Sequence, residues 1–454
     1  MVKTHKVDLL IVGSGSGLNL IPNDWKVAIV ERGALGGTCL NRGCIPSKIL
    51  IHSADVAETI NNAKKFGINA KINSIDFAKI TAMASNHVDE SSKKIEQGLK
   101  SDENIMLFKG TGKFISERTM QVGDDVIKAD KVIIAAGARP MIPNIPGLDK
   151  VNYITSTEAL RLKKQPKSMT IIGGGYIACE LAHFYGALGT KINIIQRSEH
   201  LLSREDDEIA EKFTEVFKIK YNVLTNATTQ KVSKKNGKFV VEVKTPKGKK
   251  TLVSEQLLVA MGVTPNADTL DCKKSNIMIN DKGYISVNEY FETSAKNVWA
   301  FGDIIGTTML KHGANYESEI VYQNAIANKK TKADYTAMPH AIFSSPQIAG
   351  VGFTEQELKE KKIDYVVGKH SYIKTGMGLA LQDKDGFVKI LVHARTRKIL
   401  GCHILGENAA NMMHEILVAM RHSMQVDALS DIIYIHPALG EVIQRAVNNI
   451  EWEN

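Results

Sequence analysis

The sequence predicts an α/β protein with two parallel-sheet units followed by a C-terminal α+β region. The segments 7–33 and 168–198 each read as strand, glycine turn, helix and second strand, because a short apolar run meets glycines in both. Such units build parallel sheets, and two of them suggest two nucleotide-binding folds of the Rossmann type. From about Pro339 onward, strands such as "GFVKILVHA" precede amphipathic helices, which predicts the α+β region.

The second glycine turn, "IIGGGYIACE", has the spacing of a dinucleotide-binding motif. Gly173 permits a tight turn, and Gly175 lets the backbone approach a pyrophosphate at the helix N-terminus. Ala178 is small enough for close packing of the helix on the strand. The motif therefore predicts a nucleotide site in the second unit.

The first glycine turn, "IVGSGSGLNLIP", fits the motif less completely. Its sixth position is Leu18, and Pro22 leaves room for only a short helix. Glu31 supports the assignment because an acidic side chain at the end of the following strand can bind a ribose hydroxyl. A purely structural glycine turn is the alternative. The candidate cofactor contacts here are Gly13, Gly15, Gly17 and Glu31.

Two joints divide the chain into domains. The proline-rich "ARPMIPNIPG" (138–147) follows the first unit, and "QLLVAMGVTPN" (256–266) closes the second. Helices are expected between residues 45 and 100, where apolar positions recur at three-to-four spacing. The expected domains are 1–146 together with 266–336 for the first nucleotide-binding domain, 147–265 for the second, and 337–454 for the C-terminal domain.

The composition is that of a globular protein, with 43% hydrophobic and 24% charged residues in 454. The N-terminal apolar run is too short for a signal peptide, and no stretch reaches the roughly 18 apolar residues of a membrane span. A cytoplasmic location without a membrane partner is expected. The net charge of +9 is concentrated in 231–250, where apolar residues alternate around Asn236-Gly237. That pattern predicts a β-hairpin with solvated lysines, and no nucleic-acid partner is expected.

Cys39 and Cys44 lie in "LGGTCLNRGCIPSK" (35–48). No second Cys or His pair stands at zinc-ligand spacing, and position 47 is serine where a plant-type iron-sulfur site needs cysteine, so no metal is expected. A disulfide needs Cα atoms within about 7 Å, whereas residues five apart in a regular helix lie roughly 8.6 Å apart. The segment must therefore be irregular, and Gly43 and Pro46 supply the means. Closing so small a loop stabilises little, so a reversible dithiol explains the pair better than a structural disulfide.

The segment "IHPALGEVIQRAV" places His436 before Pro437, with Glu441 five residues after the histidine. A histidine held by a carboxylate keeps one tautomer and can take or return a proton near pH 7. Thiol-disulfide exchange requires such proton transfer because only the thiolate attacks. His436 and Glu441 are therefore candidate catalytic residues together with the two cysteines.

The motifs "GGTCLNRGCIPSK", "AAGARP", "GGGYIACE", "AMGVTPN", "AFGD" and "HPALGE" occur in the order found in the flavoprotein disulfide reductases, which the chain resembles over nearly its whole length. That family includes dihydrolipoamide dehydrogenase, mycothione reductase and glutathione reductase. The resemblance implies FAD in the first unit and a nicotinamide nucleotide in the second. Electrons would pass from the nicotinamide through the flavin to the disulfide. The C-terminal domain would form the interface of a homodimer.

The resemblance also implies a role for each matching residue. Cys44 would face the flavin and Cys39 would exchange with substrate, while His436, oriented by Glu441, would act as acid and base across a homodimer interface. Lys48 would lie near the flavin ring, paired with Glu180. Asp303 would hold the ribityl chain, and Gly112 and Gly137 would make backbone contacts to FAD. Thr38 and Gly262 complete the expected cofactor contacts.

The second strand of the second unit bears on the choice of nicotinamide nucleotide. Enzymes that use NADH tend to have Glu at this strand end, whereas NADPH requires positive charge for its 2′-phosphate. Here the strand ends in Gln196-Arg197, with His200 and Arg204 nearby. This favours NADPH with Arg197 as a contact, and NADH is the alternative.

Several activities are compatible with this resemblance. The first is an NAD(P)H-linked oxidoreductase acting on a small disulfide or dithiol, either a low-molecular-weight thiol or a lipoyl group on a separate protein. A mercuric reductase is not expected, because that family uses an additional cysteine pair near its C-terminus and this chain ends "NNIEWEN". A non-catalytic FAD-binding interaction protein is a further alternative, since fold does not fix function.

Overall fold

A computed structural model describes residues 3–452; residues 1–2 and 453–454, at the outer ends of the first and last predicted domains, lie outside this range. The first domain is built on a mainly parallel sheet in which β3, β2, β1 and β6 are neighbours in that order and β16 pairs with β6. β4 and β5 extend the sheet as an antiparallel meander beside β6. Its elements are β1 (Lys3–Val12), β2 (Val27–Glu31), α1 (Gly37–Arg42), α2 (Cys44–Asn62), α3 (Phe77–Ser101), β3 (Ile105–Lys109), β4 (Lys113–Ser116), β5 (Thr119–Val122), β6 (Asp125–Ile134), β16 (Val298–Ala300) and α7 (Lys311–Ala325).

The second domain repeats the parallel arrangement in the order β10, β9, β8 and β14. A separate antiparallel meander, β11 to β13, carries the lysine-rich segment, and its first turn is Asn236-Gly237 with positive φ at both residues, as the sequence predicted. The elements are α4 (Ser156–Ala159), β8 (Ser168–Ile172), α5 (Tyr176–Ala187), β9 (Lys191–Ile195), α6 (Asp207–Lys220), β10 (Asn222–Leu224), β11 (Thr228–Lys235), β12 (Lys238–Thr245), β13 (Gly248–Ser254) and β14 (Gln256–Val259).

The two predicted joints meet each other in space. Residues Ala138–Pro140 form β7, which pairs antiparallel with β15, residues Val263–Pro265. The amide of Asn266 also donates to the carbonyl of Gly137 at 3.1 Å. The chain therefore leaves and re-enters the first domain through one two-stranded ribbon.

The C-terminal domain is an antiparallel sheet in the order β17, β18, β21, β20 and β19, with helices packed against it, so the predicted α+β region is confirmed. Its elements are β17 (Pro339–Ile342), β18 (Ile348–Gly352), α8 (Glu355–Lys361), β19 (Tyr365–Ser371), α9 (Gly376–Leu381), β20 (Phe387–His393), β21 (Ile399–Leu405), α10 (Ala409–Arg421), α11 (Asp427–Asp431) and α12 (Gly440–Asn448).

One apolar cluster connects the three domains. It contains Leu50 on α2, Phe184 on α5 and Ile348 on β18, all fully buried. Burying such side chains stabilises by about 1.5–3 kcal/mol each, so the helix that follows the cysteines is fixed against both neighbouring domains. Within residues 3–452, no helix is both long and apolar enough to cross a membrane.

Candidate functional site

A cavity of 2250 Å³ lies where the domains meet. This is larger than the roughly 300–1,000 Å³ of a typical small-molecule site, and it extends from the first glycine turn to the second. The sequence-predicted residues on its wall are Gly13, Gly15, Glu31, Thr38, Cys39, Cys44, Lys48, Gly112, Gly137, Gly173, Gly175, Glu180, Arg197, Gly262 and Asp303. Gly17, Ala178, His436 and Glu441 are not on this wall.

The glycines of the two turns have different structural roles. Gly13 and Gly173 have φ of +103° and +117°, and a Cβ on either would lie 2.3 Å or 2.2 Å from the carbonyl oxygen of Ala135 or Ala260. Only glycine fits those positions. A Cβ on Gly175 would meet nothing within 4 Å, so the backbone there is open to the cavity.

Gly17 and Ala178 lie beneath their turns. A Cβ on Gly17 would approach Ile11 Cγ2 to 2.9 Å, and Ala178 is fully buried. Both small residues allow the chain after the turn to pack closely on the strand. After the first turn this chain is a single 3₁₀ turn, Ser16–Leu20, in agreement with the short helix that Pro22 predicts.

Glu31 is bound to the first turn by hydrogen bonds from the chain itself. Its Oε2 accepts from the Ser14 amide at 3.0 Å and from Ser14 Oγ at 2.8 Å, and its Oε1 accepts from the Gly33 amide at 2.7 Å. The carboxylate thus fixes the conformation of the backbone around the turn.

Asp303 lies in a 3₁₀ turn just after β16 and faces the cavity. It accepts no hydrogen bond from any other residue in the described range, and burial raises the pKa of its carboxyl. The carboxyl is half-buried and faces the cavity, so its oxygens are available to accept hydrogen bonds from a ligand hydroxyl.

The cysteine segment is broken between its two thiols. α1 ends at Arg42, Gly43 has φ −142° and ψ −118°, and α2 begins at Cys44. A Cβ on Gly43 would lie 3.0 Å from the carbonyl oxygen of Thr38, so glycine permits the close approach of the two helices. This is the irregularity that a disulfide between Cys39 and Cys44 requires.

The two thiols interact with each other. The hydrogen bond from the Cys39 thiol lowers the pKa of Cys44 to about 7, and the charge of Lys48 acts in the same direction against the effect of burial. The same hydrogen bond and burial raise the pKa of Cys39 far above its usual range. Cys44 is therefore the thiol that ionises first when the pair is reduced.

Lys48 lies one turn along α2 from Cys44 and reaches the second domain. Its Nζ is 2.7 Å and 2.8 Å from the two carboxylate oxygens of Glu180, and it lies 4.5 Å from the ring centroid of Phe343. Glu180 also accepts from the Phe343 amide at 2.9 Å. The pair therefore connects the cysteine helix, α5 and the C-terminal domain at one point on the cavity wall.

His436 and Glu441 form a pair on a different surface. His436 Nδ1 is 2.9 Å from Glu441 Oε1, and Glu441 Oε2 accepts from the Ala438 amide at 3.1 Å. The bond from His436 lowers the pKa of Glu441. The His436 side chain is 75% exposed, beside the exposed Ile433 and Ile435. An exposed apolar segment of this kind is typical of a protein interface.

Comparison with known protein families and structures places this geometry in context. Residues 7–318 match the family described as pyridine nucleotide-disulphide oxidoreductase, and residues 338–447 match its dimerisation domain. The chain belongs to this oxidoreductase family. FAD and NAD(P)H are the cofactors of the family, and the oxidised and reduced groups are disulfides and thiols.

The oxidoreductase is similar to relatives that differ in their activities. It is 34% identical over 452 residues to a dihydrolipoyl dehydrogenase of Geobacillus stearothermophilus, covering 97% of this chain and 95% of the relative. It is 33% identical to a mycothione reductase of Mycobacterium tuberculosis (97% and 98% covered) and 33% identical to a mercuric reductase of Staphylococcus aureus (97% and 81% covered). A solved structure of the HOCl-induced flavoprotein disulfide reductase RclA from Escherichia coli, as a Cu(II) complex, superimposes with a TM-score of 0.87 at 26% identity, covering 98% of this chain and 99% of RclA.

Some of the cavity residues of this oxidoreductase are free to contact a bound cofactor. Gly137 has room for a ligand because a Cβ there would meet nothing within 4 Å, and Asp303 offers an acceptor without a partner in the described range. Gly112 is glycine for a different reason, since a Cβ would approach Met120 Sδ to 2.3 Å inside the protein. Gly137 and Asp303 therefore offer space and an acceptor on the cavity wall for a bound cofactor.

Three further cavity residues were not singled out from the sequence. Tyr176 is the first residue of α5, directly after the open Gly175. Lys311 begins α7 and donates to Ser16 Oγ at 2.8 Å, and its charge acts on Cys39. His340 lies on β17 and contacts Glu205. The position of Tyr176 directly after the glycine turn was a usable signal, whereas Lys311 and His340 belong to no spacing pattern.

Proposed function

We propose that the protein is an NADPH-dependent reductase of a small disulfide, with Cys39 and Cys44 as its redox-active dithiol. The observation that supports this most directly is the contact of the two thiols at the helix break, beside the Lys48–Glu180 pair. A structural disulfide would have no use for the lowered pKa of Cys44 or for a position on the wall of a large cavity.

The proposed reaction begins with the reduced cysteine pair. A base first removes the proton of the Cys39 thiol. The Cys39 thiolate then attacks one sulfur of the substrate disulfide, forming a mixed disulfide and releasing one substrate thiolate, which takes up that proton from the base. The Cys44 thiolate then attacks the Cys39 sulfur, closing the Cys39–Cys44 disulfide and releasing the second substrate thiolate, which is also protonated. FAD bound in the cavity would supply the electron pair, taken from NADPH, by which the Cys39–Cys44 disulfide is reduced to two thiols again.

We assign proton transfer to His436 of the partner subunit in a homodimer. The pair of His436 with Glu441 supports this because the carboxylate fixes the histidine tautomer and stabilises its protonated form. Within one chain, neither residue lies on the wall that holds the cysteines. The exposure of His436 and the family dimerisation domain support delivery to the cysteines of the other copy.

NADPH is favoured over NADH by the charges at the end of β9. Arg197 and Arg204 line the cavity there, and neither has a carboxylate partner within residues 3–452. Unpaired arginines suit a 2′-phosphate, which they can bind with charge-assisted hydrogen bonds. Because cysteines outside the pair are buried free thiols, we also propose a reducing, cytoplasmic location.

Dihydrolipoamide oxidation and mercuric ion reduction are the competing activities. The first is favoured by the similarity to a dihydrolipoyl dehydrogenase, with a lipoyl group on a separate protein as substrate. The second is favoured by the similarity to the Staphylococcus aureus mercuric reductase. Cys179, Cys272 and Cys402 are buried, so within residues 3–452 they do not form a second exposed thiol pair to bind Hg²⁺.

The experiment that tests the proposal compares substrates and cysteine variants of the FAD-loaded protein. Turnover is measured with NADPH and glutathione disulfide, lipoamide or Hg²⁺, and with NAD and dihydrolipoamide. We expect NADPH-driven disulfide reduction that is lost in Cys44→Ser and in Cys39→Ser, while Cys402→Ser, a buried control, keeps it. Unchanged disulfide turnover in Cys44→Ser would exclude the dithiol mechanism. Faster turnover with NAD and dihydrolipoamide would establish the lipoyl activity instead.

A further inference from the structure

The loop between β9 and α6 is fixed at both sides of Arg204. On one side the Leu202 amide donates to the carbonyl of Gly174, in the second glycine turn, at 2.8 Å. On the other side Glu205 Oε2 lies 2.6 Å from His340 Nε2, on the first strand of the C-terminal domain. Only Ser203 and Arg204 stand between these two attachments, so the attachments limit where the arginine can be.

The contact between Glu205 and His340 is a half-buried, charge-assisted hydrogen bond. Glu205 is 7% exposed, and no other side chain in the described range donates to its carboxylate. Burial disfavours the protonated form of His340, but the hydrogen bond and charge of Glu205 outweigh burial, so the pKa of His340 is raised. Such bonds are stronger than neutral ones, and breaking one leaves a buried charge without a partner.

The strands beneath His340 hold its ring in place. Gly350 on β18 is opposite His340 in the sheet, and a Cβ on Gly350 would lie 2.5 Å from His340 Cε1. The ring therefore packs directly on the backbone of β18, with His403 on the far side of the same glycine. The C-terminal domain presents the Nε2 atom of His340 to the second domain in a fixed position.

The residues after Glu205 are bound to the same domain. Lys389, 1% exposed, lies 2.9 Å from Asp206 and 2.6 Å from Glu355, and the Glu355 amide donates to Asp206 at 3.0 Å. These bonds hold the start of α6, and Gln356 on α8 donates to the carbonyl of Glu205 at 2.8 Å. The His340 bond is the one that holds the Glu205 side chain on the cavity side. Both His340 and Glu205 line the cavity beside Arg204.

We propose that His340 is a positioning residue for the nicotinamide-nucleotide site: through Glu205 it holds Arg204 where the 2′-phosphate of NADPH binds. The inference rests on the proposed use of NADPH. It assigns selectivity between nucleotides partly to the C-terminal domain, because that domain fixes the loop that carries the arginine.

The test is anaerobic stopped-flow reduction of the FAD-loaded protein by NADPH and by NADH, which gives an apparent Kd and a limiting rate for each nucleotide. For His340→Ala we expect the apparent Kd for NADPH to rise roughly tenfold, since a charge-assisted contact to the phosphate is lost. The apparent Kd for NADH and both limiting rates should stay within about twofold. His340→Gln, which can still donate to Glu205, should recover most of the NADPH affinity.

A double-mutant cycle shows whether His340 acts through the arginine. In an Arg204→Met background, His340→Ala should change the NADPH affinity by less than about twofold, because the group it positions is already gone. Lys369→Ala is the matched control: it breaks the exposed bond of Lys369 to Glu208, between the same two domains, away from the cavity. That variant should leave both nucleotide affinities unchanged.

The outcomes separate this inference from the proposed function. If the unaltered protein does not prefer NADPH, the proposed use of NADPH is wrong and the role of His340 is excluded with it. If the unaltered protein prefers NADPH and Arg204→Met keeps the same NADPH to NADH ratio, the role of His340 is excluded while the proposed use of NADPH stands. If Arg204→Met changes the ratio but His340→Ala does not, or affects both nucleotides equally, only the role of His340 is excluded. If the His340→Ala protein does not retain FAD, Glu205→Gln is measured in its place. The change in its ratio of NADPH to NADH affinity then tests the role of the His340 bond in the same way.

Discussion

In the first nucleotide-binding domain the Gly13 amide donates to the carbonyl of Val30, and in the second the Gly173 amide donates to Ile195, both at 2.9 Å. The two turns are therefore built alike, and Glu31 and Gln196 occupy equivalent positions one residue further on. Glu31 bonds back to its turn, whereas Gln196 donates to the carbonyl of His200 in the following loop at 3.2 Å. The same scaffold thus carries a carboxylate at one nucleotide site and an amide at the other, each followed by an arginine, Arg32 or Arg197.

The largest expected effect comes from adding a methyl group to either tight turn. Gly13→Ala and Gly173→Ala each force a positive φ on alanine and a carbonyl contact near 2.3 Å or 2.2 Å, at a cost of about 2–5 kcal/mol. We expect Gly13→Ala to lose bound flavin, and Gly173→Ala to keep flavin but lose its reduction by NADPH. The ratio of flavin to protein absorbance after gel filtration, followed by anaerobic reduction, measures both. Loss of flavin in both variants would show that the two sites are not independent.

In the first unit the cysteine segment comes after the end of β2. In the second unit the residues after the equivalent position, Gln196, contain no such cysteine pair. The reactivity of the Cys39–Cys44 pair is a second difference between the two units. Because the pKa of Cys44 is lowered to about 7, its thiolate forms as pH rises through 7 rather than near 8.5. At pH 7 about half of the reduced Cys44 should be thiolate, against a few per cent for an ordinary thiol.

Alkylation of the dithiothreitol-reduced protein by iodoacetamide, followed against pH, measures this. The rate at Cys44 should have its midpoint near pH 7 and move upward in Cys39→Ala, which removes the hydrogen-bond donor that is the main cause of the shift. A midpoint near 8.5 in both proteins would contradict the contact between the thiols.

Glu31→Gln tests the carboxylate of the first unit. The amide keeps one acceptor, but its NH₂ group faces the Ser14 donors or the Gly33 amide, so at least one hydrogen bond is lost. FAD should bind roughly tenfold more weakly. Equilibrium titration of the apoprotein with FAD gives the value, and Glu90→Gln, an exposed change on α3, is the control. Equal affinity in both variants would show that Glu31 does not support the cofactor site.

Gln196→Glu makes the second unit resemble the first. A carboxylate there accepts from a ribose 2′-hydroxyl and repels a 2′-phosphate, so NADPH affinity should fall about fivefold while NADH affinity rises. Glu199→Gln changes the charge in the opposite sense at an exposed neighbour that is not on the cavity wall. Flavin reduction with each nucleotide measures the shift. An unchanged preference would mean that the strand end does not select the nucleotide in this protein.

Local patterns predicted the fold because each element carried its own signal. Apolar runs meeting glycines predicted both parallel units, and Gly43 predicted the break between the cysteines. The spacing of His436 and Glu441 placed them within reach because they are five residues apart in the chain.

Contacts between distant segments were not predictable in this way. Lys389 is nearly fully buried and forms ion pairs with Asp206 and Glu355, which are distant in the chain. No periodicity in the sequence distinguishes it from a surface lysine. The pairing of β7 with β15, and the contact of His340 with Glu205, likewise depend on how domains meet. The resemblance to a known family placed Lys48 beside Glu180, which the spacing of the residues alone did not do.

If His436 acts from the partner subunit, as we propose, the exposed segment Ile432–His436 should make activity depend on protein concentration. If the proton-transferring histidine reaches the cysteines only from a second copy, then dilution below the dimer dissociation constant separates the two halves of each site. Specific activity should then fall on dilution while the flavin stays bound and the fold stays intact. A mixture of Cys44→Ser and His436→Ala chains, each inactive alone, would regain up to about a quarter of the activity, because random exchange of subunits produces half heterodimers and each of these has one complete site.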